Sequence, residues 1–335
     1  MFCGNHYTPN RNPILPLSLF GGDLSSLREL FLEAVHTELP WRNMVNLTWF
    51  LLANTSSVSM KQLLDFFESA PHLREIQLSF AAPTSGTQDG RLVSLACLKK
   101  IHIDGGPSSV LLDHLLIPIG AELTTQVNLP GLPIENHLPR SLDNLRNLSD
   151  FTTIQLSGRR PRPHIRFSGP NGQVEMVSEI SKGRETRMLF ESLAQFDTSK
   201  TERLEINRGS SPSSDRPHQA LLPMKDLLVL TLTRCTSPHV FIHALDPSMG
   251  PPGVLVCPKL EEIVIQHREM FDIQSVIGTV AARASGGAKL KLVRIVSRDE
   301  FPESHVPELK KHVLHVECSR EADGVKDGYF SDKEG

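Results

Sequence analysis

Apolar residues recur along this chain in one phrase, apolar-x-x-apolar-x-apolar, clearest at Leu73-Arg74-Glu75-Ile76-Gln77-Leu78. The phrase begins again at Leu27, Leu47, Leu98, Phe151, Leu227, Leu260 and Leu290. Its last two apolar positions enclose a single residue, the alternation of a short strand with one buried face. The first apolar position lies three residues earlier, where the chain turns into the strand. Each phrase therefore predicts one strand and the turn that leads into it.

One such unit cannot cover its own apolar face, whereas stacked neighbours can. The starts at residues 27, 47, 73 and 98 are spaced within the roughly 20–29 residues of a leucine-rich repeat; the later units are longer. No unit carries a clear Asn or Cys after its strand to form the buried ladder of regular repeats. The expected fold class is α/β: a degenerate leucine-rich-repeat solenoid with a curved, mainly parallel sheet and helices on its outer side. A generic α/β protein whose buried strands start alike is the plainer alternative.

Between the strands, Ser59-Met60-Lys61-Gln62 opens a helix with the Ser-x-x-Gln capping box. Leu63, Leu64, Phe66 and Phe67 fill one face of that helix, and Ala70-Pro71 stops it. A second helix is expected over Ser109–Ile117, followed by a strand through Leu123, Thr125 and Val127. Leu142, Leu145 and Leu148 mark a short helical segment. Ile165-x-Phe167 and Val174-x-Met176 flank Gly169-Pro170-Asn171-Gly172 as a hairpin, inside an irregular insert over about 157–185. Further helices are expected over Thr186–Phe196, Val240–Leu245 and Phe271–Arg283, the last closed by Ser285-Gly286-Gly287. Leu204-x-Ile206 reads as a shortened repeat strand, Ser210–Pro217 as a mobile loop, and His312–Val316 as one more strand. Domain organisation follows: a disordered start over 1–13, a repeat domain over 14–318 and a disordered tail over 319–335.

Composition narrows the function classes. With 39% hydrophobic and 22% charged residues the 335-residue chain has the balance of a soluble globular protein. A net charge of −3 gives no general pull toward nucleic acid or an anionic membrane, so neither is expected as a partner. The five cysteines are scattered and never spaced as C-x-x-C, which reads as free buried thiols in a reducing cytoplasmic or nuclear compartment. No apolar run is long enough for a membrane span, and residues 1–13 do not resemble a signal peptide. Without such a signal, the glycosylation triplets at Asn46 and Asn147 carry no weight.

Candidate chemistry is sparse. No glycine-rich phosphate loop and no nucleophile elbow is present. His239 and His243 have a metal-ligand spacing on an expected helix, as His312 and His315 nearly do, but no third ligand is signposted. Asp65 and Glu68 read as solvated carboxylates, and Arg159-Arg160-Pro161-Arg162 as a basic loop. No catalytic residue, cofactor or metal is expected.

The combination Leu24-Ser-Ser-Leu-Arg-Glu-Leu30, Leu39-Pro-Trp-Arg-Asn43, Asn46-Leu-Thr48, Gln62-Leu-Leu-Asp-Phe-Phe-Glu-Ser-Ala-Pro71 and Leu73-Arg-Glu-Ile-Gln-Leu78 resembles the leucine-rich-repeat region of fungal, especially basidiomycete, F-box-like proteins. In that family an F-box docks on the adaptor of a cullin–RING ubiquitin ligase and the repeats present a target protein. Here the first repeat begins near Leu24, so the resemblance implies the recognition half of a ubiquitin-ligase substrate receptor. An adaptor partner is implied only where an F-box lies upstream.

The leading expectation is therefore a non-enzymatic protein-interaction module for an unidentified target protein. Its contact positions are the residues between the last two apolar strand positions: Phe31, Gln77, His102, Gln155, Thr231, Val264 and Arg294, whose side chains point away from the core. The alternatives are an orphan repeat or fragment with no ligase link, and an enzyme with a composite site between the repeat halves.

Overall fold

The computed structural model describes residues 23–34, 44–55, 58–80, 90–106, 108–127, 137–158, 162–178, 190–209, 215–250, 254–267, 271–298 and 303–320. Each phrase forms a strand. In chain order these and the remaining strands are β1 (Glu29–Glu33), β2 (Trp49–Ala53), β3 (Glu75–Ser79), β4 (Val93–Ser94), β5 (Lys100–Asp104), β6 (Leu115–Leu116), β7 (Glu122–Val127) and β8 (Thr153–Ser157). They continue with β9 (His164–Gly169), β10 (Gly172–Ser178), β11 (Arg203–Asn207), β12 (Val229–Thr233), β13 (Glu262–His267), β14 (Leu290–Ser297) and β15 (Val313–Arg320). The fold is mixed α/β, with mostly parallel strand pairing and few helices. It divides into two compact units, Met1–Phe151 with Arg166–Ile180, and Thr152–Ile165 with Ser181–Gly335.

In the first unit β1, β2, β3, β5, β7 and β10 pair in that order, all in parallel. The same backbone device leads into each repeat strand. The N–H of the phrase's first residue closes a turn onto the carbonyl three positions back: Leu47 onto Met44 (3.0 Å), Leu73 onto Ala70 (3.1 Å) and Leu98 onto Leu95 (2.9 Å). One carbonyl then accepts two N–H groups from the next strand's entry. Arg28 O takes those of Thr48 and Trp49, Thr48 O those of Arg74 and Glu75, and Arg74 O those of Lys99 and Lys100. At the exit a residue turns left-handed: Ala34 (φ 51°), Asn54 (54°), Phe80 (51°) and Gly105 (98°). Glycine is required at 105, because a Cβ there would run into the Phe80 ring.

The buried strand residues of this unit, among them Phe50, Ile76, Leu78, Ile101 and Ile103, are at most 2% exposed. Over them lies the Met60–Ser69 helix. Its N-cap Ser59 accepts from Gln62 N, and the Gln62 side chain reaches back to Ser59 N, as the capping box predicts. Phe66 meets Phe50 with ring centroids 4.4 Å apart. Each such buried phenylalanine contributes roughly 1.5–3 kcal/mol. The side chains of Asp65 and Glu68, on the helix's outer side, clamp Arg91 at 2.6 and 2.5 Å.

In the second unit β8, β11, β12, β13, β14 and β15 pair in order, again in parallel. The shared-carbonyl device recurs at Thr152, Glu202, Leu228 and Glu261, and the left-handed exit at Arg208 (53°) and Arg234 (52°). Helices Pro238–His243 and Ile273–Ser285 return the chain between strands. Asp272 caps the second of these by accepting from Ser275 N.

Several expected elements come out differently. The helix expected over Ser109–Ile117 ends at Leu112, and Leu115–Leu116 instead pair with Val93–Ser94 in a small second sheet. Short apolar runs such as Leu111–Leu112 and Leu115–Ile117 do not distinguish a buried helix from a buried strand. The hairpin forms across Pro170–Asn171, but its second arm β10 joins the parallel sheet beside β7 rather than standing apart from the repeats. Asp215–Pro217, expected in a mobile loop, open a helix that runs to Leu221. Of the expected Thr186–Phe196 helix, residues 186–189 lie outside the described residues; Phe190, Leu193 and Phe196 are buried. Cys97 and Cys318 are exposed, contrary to the expectation of buried thiols; Cys235 and Cys257 are buried. β15 continues through Arg320.

Candidate docking face

Strand alternation sends every second side chain to the side opposite the core, and the pairing register decides which of these sit abreast. In the first unit Phe31 pairs with Leu51, Leu51 with Gln77, Gln77 with His102, His102 with Thr124, and Thr124 with Glu175. The three expected positions Phe31, Gln77 and His102 thus belong to one unbroken row of six. In the second unit Gln155, Glu205, Thr231, Val264, Arg294 and Glu317 form a corresponding row, which contains the other four expected positions. At a strand spacing of about 4.8 Å, six positions extend roughly 24 Å.

The first unit's row changes chemistry along its length. Phe31 is 55% exposed, with half-buried Leu51 beside it. Trp49, two residues before Leu51 on the same side, pairs with Glu29 and Glu75. His102 is half-buried, and burial pushes its imidazole below the usual histidine range while Asp104 opposes the shift. A neutral imidazole both donates and accepts hydrogen bonds. At the far end Glu175 accepts a 2.9 Å hydrogen bond from Arg166 Nη2.

The second unit's row is cross-linked by its own side chains. Gln155 Nε2 donates to Glu205 Oε2 at 2.8 Å. Arg294 Nε donates to Glu317 Oε2 at 2.7 Å, and its Nη1 lies 4.0 Å from Glu262 Oε1. Such exposed pairs contribute little stability, about 0–1 kcal/mol, but they hold the guanidinium over three strands. Thr231 and Val264 are half-buried between these polar ends. Val264 is therefore neither a projecting anchor nor fully covered.

Sequence reasoning missed Leu51, Thr124, Glu175, Glu205 and Glu317. The signal was present: Phe50/Leu52, Leu123/Thr125, Val174/Met176 and Leu204/Ile206 each enclose one of the first four. Glu317 lies beyond the end of the expected last strand.

Polar groups away from the face serve structure. Arg283 is 0% exposed; its guanidinium donates to Val256 O (2.6 Å), Cys257 O (2.9 Å) and Leu245 O (3.4 Å). Asn147, also part of a glycosylation triplet, is 2% exposed and its amide bridges Ala121 O (3.0 Å) and Gln173 O (3.2 Å). His137 is buried against Thr125 Oγ1 at 2.9 Å, and burial pushes its imidazole down to about 4. Burial also pushes the Cys235 and Cys257 thiols up to about 12, where little nucleophilic thiolate forms at neutral pH.

Of the spaced histidines, His243 Nδ1 is 3.9 Å from an Asp246 carboxylate oxygen. Among the described residues no three His, Cys, Asp or Glu side chains are grouped to hold a metal ion. No described helix is long and apolar enough to cross a membrane. The basic residues Arg159–Pro161 lie outside the described residues. No family model, no curated protein and no solved structure matches this chain.

Proposed function

We propose that this chain is a protein-docking scaffold: a degenerate leucine-rich repeat whose exposed strand face receives a target protein, as in the recognition region of an F-box-like ubiquitin-ligase substrate receptor. The observation that carries the reading is the register, which aligns Phe31, Leu51, Gln77, His102, Thr124 and Glu175 side by side. These side chains sit at geometrically equivalent sites yet differ in chemistry, as a recognition surface requires. An apolar end, exposed Phe31 beside half-buried Leu51 and Trp49, gives way to neutral hydrogen-bonding groups and then to charge. Hot spots of protein interfaces are commonly aromatic anchors within such a polar surround.

The test has two steps. Tagged chain is used to recover partners by affinity purification and mass spectrometry, and the recovered partner's affinity is then measured against the Phe31→Lys and Gln77→Lys/His102→Glu variants. These substitutions lie on the solvent side, so circular dichroism should be unchanged while partner binding weakens at least tenfold. Equal binding by all variants removes this face from the reading. Recovery of cullin-ligase components supports the receptor role; a partner set without them leaves an orphan scaffold.

A further inference from the structure

We infer that the edge strand β15 is a self-association surface, on which a second copy of this chain adds its own β15 antiparallel about a twofold axis. β15 pairs with β14 on one side, and no described strand lies on its other side. A free strand edge presents a row of backbone donors and acceptors to any further strand.

Three features single out this edge. Its eight residues equal β14, and every other strand is shorter. Neither proline nor lysine interrupts Val313–Arg320, so two common devices that blunt edges are absent. Its core-side positions are also uncovered. Val316 and Cys318 pair with Val293 and Ile295, which are 0% exposed, yet Val316 is only half-buried and Cys318 is exposed. Val313, paired with Leu290, is the one residue of β15 buried in the core, at 1% exposed, and the next residue, Leu314, is 57% exposed. The opposite terminal strand β1 is different: it has five residues, is bounded by exposed Glu29 and Glu33, and keeps Leu32 6% exposed.

The sequence selects a register. A twofold axis perpendicular to the sheet keeps each residue on its own face, so the axis passes beside one residue and its copy. Centred on Val316, the pairing sets His315 opposite Glu317 twice on one face. On the other face it sets Val316 against its own copy, with Cys318 two residues along. Centring on Glu317 would set two carboxylates against each other, an unfavourable cross-strand pair. The interface is one strand wide, so it belongs to the weak class below about 1,200 Å².

Sedimentation of the full chain under reducing conditions, from about 1 to 100 µM, should show reversible monomer–dimer exchange. His315→Glu is on the exposed face and should weaken the dimer about tenfold, because two attractive pairs become repulsive. Val316→Lys should abolish it. In a Cys318→Ser background, Val316→Cys, mildly oxidised, should yield a covalent dimer, because the axis passes beside residue 316 and its copy. A chain that stays monomeric at 100 µM overturns the inference by showing that the edge is otherwise covered. A dimer indifferent to His315→Glu and Val316→Lys overturns it by placing the contact elsewhere. A ladder of larger oligomers overturns the twofold arrangement in favour of head-to-tail stacking.

Discussion

Replacing Arg283 tests the most unusual group in the core. Its side chain continues the buried stripe of the Ile273–Ser285 helix, after Val276, Thr279 and Val280, yet carries a full charge among neutral acceptors. Burial pushes the guanidinium down from its ordinary value, with nearby Cys257 opposing, but arginine remains charged in proteins. In Arg283→Met the carbonyls of Val256 and Cys257 lose close donors at 2.6 and 2.9 Å. Each buried carbonyl left unsatisfied costs about 1–3 kcal/mol. Relief from burying a cation that no carboxylate among the described residues pairs offsets part of this, so the net loss should be about 2–3 kcal/mol. Arg283→Lys should be worse, because an ammonium is more strongly hydrated than a guanidinium and lacks the planar fork that serves several carbonyls. Urea titration followed by far-UV circular dichroism gives the order wild type, then Arg283→Met, then Arg283→Lys. Tryptophan emission is unsuited, since Trp49 belongs to the other unit. The reasoning is refuted if Arg283→Met is as stable as wild type. A lysine variant more stable than the methionine variant would refute the second half, by showing that charge rather than fork geometry is needed.

Three further outcomes are expected. Because burial lowers His137 from 6.5 to about 4, its contribution is fully present above pH 6.5 and is lost as pH falls toward 4. The size is about 3 kcal/mol, and urea midpoints at pH 7 and 4.5 should converge on those of His137→Gln as the pH drops. Asn147→Asp should destabilise more than Asn147→Ala, which itself should lose about 1–3 kcal/mol, since a carboxylate would face the Ala121 and Gln173 carbonyls; thermal melts of the two variants rank them. Arg208→Gly should stabilise by about 0.5–1 kcal/mol, the left-handed φ penalty less the entropy of glycine, whereas Arg208→Val should destabilise; denaturant midpoints decide the sign.

The strand positions were legible because one residue pattern encodes both the turn and the buried pair. Leu73 fills the turn, Ile76 and Leu78 fill the core, and Gln77 is left outside. Legibility failed where polarity and burial part company. Arg283 falls on the helix's apolar stripe but reads as a surface cation, and the three carbonyls that accept its bonds are invisible in a sequence. Asn147 shows in the sequence only as part of a glycosylation triplet that carries no weight; its bonds to Ala121 and Gln173 form across the fold. It failed also where short apolar runs follow one another, as at Leu111–Leu112 and Leu115–Ile117, because pairing of Leu115–Leu116 with Val93–Ser94 decides between helix and strand. Leu51 was legible by the same rule that picked out Phe31 and Val264, since Phe50 and Leu52 enclose it.

The backbone devices at strand entry and exit need no particular side chain at the exposed positions. Arg28, Thr48 and Arg74 each lend a carbonyl to two N–H groups, and Ala34, Asn54 and Phe80 all turn left-handed, although their side chains share nothing. Fold and face are thereby decoupled: Phe31, Gln77, His102 and Glu175 can vary without altering the ladder beneath them. Side chains leaving one sheet face stand roughly parallel, about 4.8 Å apart, whereas acid–base or nucleophilic chemistry needs groups converging to about 2.6–3.2 Å. The hydrogen-bonded pairs on these faces, Arg166–Glu175, Gln155–Glu205 and Arg294–Glu317, each join a donor to a carboxylate. Side chains of varied chemistry on a common backbone frame suit recognition of another protein, and this decoupling supports the docking reading more than any single residue does.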